Sequence, residues 1–181
     1  MKRAGLVLVS STLLGILAGG AGSTAAPTPE MDAAGDIAAR VAPAVQVPPG
    51  NKIVEKFYAK GVQTYTCTAG AWKGLEPAAT LADRLGRAVG LHSRGPIWVS
   101  TVDGSAVEAA PVDGARNEVP GAVPELLLKA KSTRGSGVFA NVSYVQRLAT
   151  KGGVAPTGGC TEGAQTSVKY EALYTFSVPA A

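Results

Sequence analysis

Beyond residue 47, apolar and polar side chains alternate singly along most of the chain, the period of a strand with one covered face. The cleanest run is the last. Val168, Tyr170, Ala172, Tyr174, Phe176 and Val178 fall on one face, with Lys169, Glu171 and Thr175 on the other. Gly61 to Trp72 alternates in the same way and is rich in β-branched and aromatic residues. Lys52 to Lys60 and Val62 to Ala69 predict a first pair of strands. Gly61 between them is either a hairpin corner or, the better fit for a lone glycine, a bulge in one long strand. After Trp72 the pattern becomes irregular as far as a short run at Ala79 to Ala82, and Asp83-Arg84-Leu85-Gly86 reads as a turn.

Val89 to Ser93 and Ile97 to Val102 predict short strands around Arg94-Gly95-Pro96. Asp103-Gly104 lies between Trp98-x-Ser100-x-Val102 and Ser105-x-Val107-x-Ala109, which predicts a two-residue type I′ hairpin. Residues 111–122, with their prolines and glycines, read as a loop. Val123 to Lys131 fits a strand or a short helix starting at Pro124, and its length favours the strand. Val138 to Thr150 also fits both periods; its Asn, Ser and β-branched content favours a strand. Gly152 to Gly163 is a loop. Eight or nine strands with turn signals at short intervals predict an all-β, single-domain antiparallel sandwich or small β-barrel over residues 47–181.

The first 46 residues follow other rules. Lys2 and Arg3 precede an apolar run from Leu6 to Leu17, and small residues from Ala18 to Ala26 offer a cleavage site, so residues 1–26 read as a signal peptide. The apolar run falls short of the roughly 20 residues that a spanning helix needs, although an uncleaved anchor is the rival reading. Residues 27–46 read as a flexible Ala/Pro-rich tether. Removing Lys2 and Arg3 with the signal leaves 15 of the 17 basic residues against 13 acidic ones. The rest are scattered without basic runs or interleaved aromatics, which argues against nucleic acid as a partner. A secreted protein without stable membrane insertion is the expectation.

The chain has two cysteines, Cys67 and Cys160, 93 positions apart. In an exported protein they most simply form one disulfide; two free thiols, one of them reactive, are the alternative. His92 is the only histidine and sits in His92-Ser93-Arg94-Gly95-Pro96-Ile97-Trp98, where two short strands meet. An imidazole, a guanidinium and an aromatic wall together make His92, Arg94 and Trp98 the candidate ligand-binding residues. The competing reading is a strand-end histidine bonded to backbone beside a core tryptophan. An imidazole with its ordinary pKa near 6.5 would make ligand contact respond to pH between roughly 5 and 8. Arg147 lies on an alternating strand, and facing inward it would need a carboxylate such as Glu76 or Asp83. No metal ligand set, no cofactor motif and no serine elbow is recognisable. Gly135-x-Gly137-x-x-Ala140 matches a dinucleotide fingerprint on paper but lacks the strand–helix context that it requires.

Several of these motifs occur together in one family. The chain carries Gly61-Val62-Gln63-x-Tyr65-x-Cys67, then Val89-Gly90-x-His92-x-x-Gly95-Pro96-x-Trp98 and Asp103-Gly104-Ser105. Pro124-x-Leu126-Leu127-Leu128-Lys129-Ala130, Gly137-x-Phe139-x-x-Val142-x-Tyr144-x-Gln146-Arg147, Gly152-Gly153-x-Ala155-Pro156-x-x-Gly159-Cys160 and Tyr170-x-Ala172-x-Tyr174 follow in order. In this the chain resembles the secreted bacterial and fungal proteins known as domain of unknown function 3455, from about Val47 to Phe176. Glu125 departs from the family's usual apolar or aromatic residue. The resemblance implies export and one β-rich unit and supplies no mechanism. The leading expectation is a ligand-binding or cell-surface module whose partner is an unknown small molecule or cell-envelope component. One alternative is a small hydrolase or isomerase using His92 with a carboxylate partner. Another is a structural surface protein without a pocket.

Overall fold

Strands with one apolar face bury it by packing on a second sheet or by curling until the sheet meets itself. This chain does the second. The computed structural model describes residues 41–180. Its strands are β1 (Asn51–Thr68), β2 (Ala71–Ala82), β3 (Ala88–Ser93), β4 (Ile97–Ser100), β5 (Ala106–Val119), β6 (Ala122–Arg134), β7 (Tyr144–Gly152) and β8 (Gln165–Pro179). Each is antiparallel to the next, and β8 pairs with β1 over nearly its whole length to close the ring. An eight-stranded barrel is just wide enough to be filled by side chains or to hold one small ligand. No helix among the described residues is long and apolar enough to cross a membrane.

The long strands alternate as their sequence predicts, and Tyr170, Ala172, Tyr174 and Phe176 of β8 all point inward and are buried. At the end where β1 begins, aromatic rings fill the lumen. Phe139 meets Phe176 at 4.7 Å and Phe57 at 6.1 Å, while Phe176 lies 6.1 Å from Trp98. Phe139 comes from the β6–β7 connection, which folds across the barrel end as a plug. The hydroxyl of Ser105 accepts from Phe139 N–H (3.0 Å), and the carboxylate of Asp103 accepts from Val138 N–H (3.0 Å). This connection contains the Gly135-x-Gly137-x-x-Ala140 match, and it leads into strand β7 rather than a helix.

The register departs from expectation in four places. Gly61 is no bulge: β1 runs through it, because β2 approaches so closely that a Cβ there would strike Ala78 and Ala79. Residues 73–78 are a continuous strand, bulged once where Thr64 and Tyr65 of β1 face it. Residues 111–122, expected as a loop, form the outer part of the β5–β6 hairpin, which turns at Pro120-Gly121 and bulges between Pro111 and Arg116. Asp103-Gly104 is not a two-residue hairpin. Ser100 N–H donates to Ser105 C=O, leaving a four-residue loop, 101–104. The loop forms because Ser100 Oγ accepts from Val102 and Asp103 N–H while Asp103 Oδ1 accepts from both N–H and hydroxyl of Ser105.

The opposite face of β8 is buried as well, through a segment expected to be tether. Residues 41–47 lie along the outside of the barrel with a 3-10 turn at Pro43–Val45. Val45 is completely buried against Ala115, Leu127, Leu148 and Leu173. Gln146 Nε2 donates to Val45 C=O at 2.6 Å, and Thr175 Oγ1 donates to Gln146 Oε1 at 2.6 Å. The packed chain therefore includes residue 41. The expected signal peptide, residues 1–26, lies outside the described residues.

At the other end of the barrel Cys67 and Cys160 are disulfide-bonded, tying the end of β1 to the β7–β8 loop. Cys67 N–H donates to Ala164 C=O and Gly163 N–H to Cys67 C=O beside the bond. Gly153 of the same loop lies over Gln63, Val123 and Tyr170, so closely that any Cβ there would crowd all three.

Candidate functional site

The wall of the barrel is uneven, and the unevenness makes the site. β3 and β4 have six and four residues, far fewer than β2 or β5 on either side. Their hairpin stops at Ser93 and Ile97, where β2 has reached only Ala79 and β5 only Glu108. Beyond that height β2 and β5 have no neighbour between them. Pro77, Pro96 and Pro111 stand around this gap. Proline suits such an edge, having no backbone N–H to leave unpaired.

Behind the gap is a cavity of about 200 Å³, open to it and lined by residues from every strand of the barrel. Its sides are largely apolar, with Leu75, Leu126 and Leu128 beside the prolines. Its inner wall is aromatic. His92 stacks flat on its cross-strand neighbour Trp98, with ring centroids 4.3 Å apart and planes inclined by 7°, and Tyr174 meets both edge-on at 5.0 and 5.3 Å.

His92 is buried and its Nδ1 is 2.9 Å from Ile97 C=O. A carbonyl only accepts, so Nδ1 carries the proton and donates it. Burial pulls the imidazole pKa down to about 4, against the opposing effect of that hydrogen bond and with help from the Arg147 charge. The ring is therefore neutral across pH 5–8, which corrects the expected pH response. Nε2 keeps a free lone pair, with no hydrogen-bond partner among the described residues.

Arg147 enters from β7, opposite Tyr174 on β8 and Leu126 on β6. Its Nε donates to Pro124 C=O at 3.0 Å. Among the described residues no carboxylate lies within ion-pair distance of its guanidinium. The expected partners are engaged elsewhere: Glu76 pairs with Arg94 at 2.9 Å and Asp83 with Arg87 at 2.7 Å. A half-buried cation without a counter-charge is costly, and here it faces a set of neutral donors. Desolvation raises the pKa of Tyr65, Tyr170 and Tyr174 although the Arg147 charge opposes it, so all three stay phenols.

Several of these groups are unsatisfied. Gln63 Nε2, Trp98 Nε1 and the hydroxyls of Tyr170 and Tyr174 are buried and make no hydrogen bond of good geometry. The two tyrosines, Gln63 and Arg147 are near enough to perturb one another's protonation but are not aligned to satisfy one another. Tyr65 differs, since its hydroxyl donates to Gly153 C=O. Buried polar atoms are nearly always paired, by protein, by ordered water or by a bound molecule.

Of the three residues expected to form a site, His92 and Trp98 are in contact on the inner wall of the cavity. Arg94 stands at its rim, mostly exposed and committed to Glu76. No carboxylate and no Ser or Cys side chain hydrogen-bonds His92 among the described residues. No group of three His, Cys, Asp or Glu side chains is placed to hold a metal among them either. Sequence reasoning missed Gln63 and Tyr174, whose alternation marks them as inward but not as lining a cavity. Arg147 was recognised as a residue that would need a partner; the partner is what the fold withholds.

No curated protein and no solved structure matches the chain at a significant level. A family model does, over residues 48–177, covering β1 to β8 almost to their ends, the plug and the cavity, so the chain belongs to the family described as protein of unknown function (DUF3455).

Proposed function

We propose that this protein is a secreted, disulfide-stapled β-barrel that takes up a small molecule in its lumen through the gap above the β3–β4 hairpin. The observation that supports this reading best is a largely apolar cavity of about 200 Å³ that opens through the gap and has in its lining the Arg147 guanidinium, with no carboxylate partner among the described residues. A stability-driven core would pair such a charge or replace it with hydrocarbon. A binding site leaves it for its ligand. Export fits the disulfide, which persists in oxidising compartments, and the N-terminal sequence pattern. Hydrolysis or isomerisation at His92 is less well supported, because a base or nucleophile needs a partner within hydrogen-bond reach of the ring. A purely structural role leaves the uncompensated Arg147 charge beside an open cavity unexplained.

The test is a thermal-shift screen of the mature protein against sugars, aromatic acids, lipids and peptidoglycan fragments. Hits are then titrated by Trp98 fluorescence in a Trp72→Phe background. A stabilising compound that saturably changes Trp98 emission supports the proposal. A flat panel contradicts it and favours the structural role.

A further inference from the structure

We propose that the lumen selects a small monocarboxylic acid with an apolar body about the size of one ring, its carboxylate held by Arg147. The inference rests on the lumen being a ligand site and goes further by naming the chemistry of the ligand. It starts from the polar residues of the lining. Trp98 and Gln63 carry N–H donors, and the Tyr174 hydroxyl, kept protonated, has a proton to give. Arg147 adds further N–H donors beyond the one used on Pro124. Arg147, Trp98, Gln63 and Tyr174 thus bring donors to the lining, and the complement is a ligand with acceptors.

Charge sharpens the choice. Arg147 lacks a carboxylate partner within the protein, and the other guanidinium at the cavity, Arg94, is paired with Glu76 at the rim. One uncompensated positive charge fits one negative charge, and a guanidinium matches a carboxylate by two parallel hydrogen bonds. A dianion such as phosphate would bring a second charge with no cation to meet it.

Size and wall chemistry set the rest. An apolar cavity of about 150 Å³ holds benzene, so about 200 Å³ accommodates a ring with a carboxylate attached. Leu75, Leu126 and Leu128, with Pro77, Pro96 and Pro111, form a hydrocarbon surface that offers sugar hydroxyls no partners. Neutral His92 adds its Nε2 lone pair as an acceptor, a fit for a hydroxyl on the ring.

The experiment is isothermal titration calorimetry of the mature protein with benzoate, with its neutral isostere benzamide, and with inorganic phosphate. Benzoate is expected to bind saturably and benzamide about 10- to 150-fold more weakly, the range of a charge-assisted hydrogen bond. Arg147→Met is expected to erase the difference, whereas Lys60→Gln, which removes one exposed positive charge from the outer surface, preserves it. Equal affinity for benzoate and benzamide overturns the assignment of an acid while leaving the lumen as a site. Phosphate binding as tightly as benzoate overturns the apolar body. Binding of neither ring compound overturns the assignment too, and the thermal-shift panel then decides whether the lumen binds another class or nothing. If Arg147→Met does not fold, the benzoate–benzamide comparison on the unmodified protein still decides.

Discussion

The sole histidine gives the barrel a pH dependence that can be worked out in advance. His92 titrates near 6.5 when exposed and at about 4 in the folded protein, where burial disfavours the imidazolium. Between those values the unfolded chain takes up a proton that the folded chain refuses, so acid favours unfolding. The folded-state pKa is the lower one; this contribution to stability is therefore full above pH 6.5 and falls away as pH drops towards 4. At about 1.4 kcal/mol for each pH unit below 6.5, the loss at pH 5.0 is about 2 kcal/mol. Glu and Asp carboxylates with ordinary pKa values near 4 contribute little above pH 5. The perturbation is His92→Phe, which keeps a ring against Trp98 but does not titrate. It leaves Ile97 C=O without its donor, costing roughly 1–3 kcal/mol at pH 7.5. Urea unfolding followed by tryptophan fluorescence at pH 7.5 and 5.0 provides the assay. The unmodified protein should lose about 2 kcal/mol between the two values and the variant almost none, so their stabilities converge in acid. Parallel losses in both proteins, or no loss in either, would refute the argument that His92 is buried and neutral.

Other consequences are as direct. Reducing Cys67–Cys160 should lower the melting temperature, by the equivalent of up to about 4–5 kcal/mol for a closed loop of this length, and two thiols should titrate only after reduction. Phe139→Ala should cost about 3–5 kcal/mol in urea unfolding, since it removes the plug from the aromatic cluster. Hydrogen bonds, first that of the Ser105 hydroxyl and then the N–H of Val138 and of Ser105, hold the Asp103 carboxyl at about 2. Its stabilising effect is therefore present above pH 4 and lost as pH falls towards 2. In Asp103→Asn that acid-dependent loss should disappear and the neutral-pH melting temperature should drop.

Most strands were legible because period-two alternation is a direct image of a barrel wall, and β8 reads almost without error from Val168 to Val178. What failed was register. Asp103-Gly104 has the composition of a tight turn, but the Asp103 carboxylate is used for Ser105 and the plug, and the loop widens to accommodate it. Residues 111–122 contain prolines and glycines that suit a loop in isolation, yet they lie on strands that bulge. Burial on the outside of the barrel was invisible because Gln146, Thr175 and Ser177 are polar. Gln146 and Thr175 are tied to residues 41–47, a Val/Ala-rich segment too short to show a strand or helix period. The site was half legible. His92 and Trp98 are cross-strand neighbours and could be paired from the short hairpin that holds them. Arg147 could be seen as inward-facing, but the missing counter-charge depends on where Glu76 and Asp83 fall, and only the closed ring fixes that.

The central claim is that the lumen beside Trp98 is a binding site, and the indole N–H of Trp98 reports on it directly. The chain has only two tryptophans, and Trp72 lies outside the cavity lining, so a ¹⁵N-labelled sample gives two indole signals, one at the site and one as internal control. Titration with benzoate, or with any other compound that stabilises the protein in the thermal-shift panel, should shift the Trp98 signal saturably while that of Trp72 stays in place. A Trp98 signal that does not move at saturating ligand, or two signals that drift together, would contradict the account.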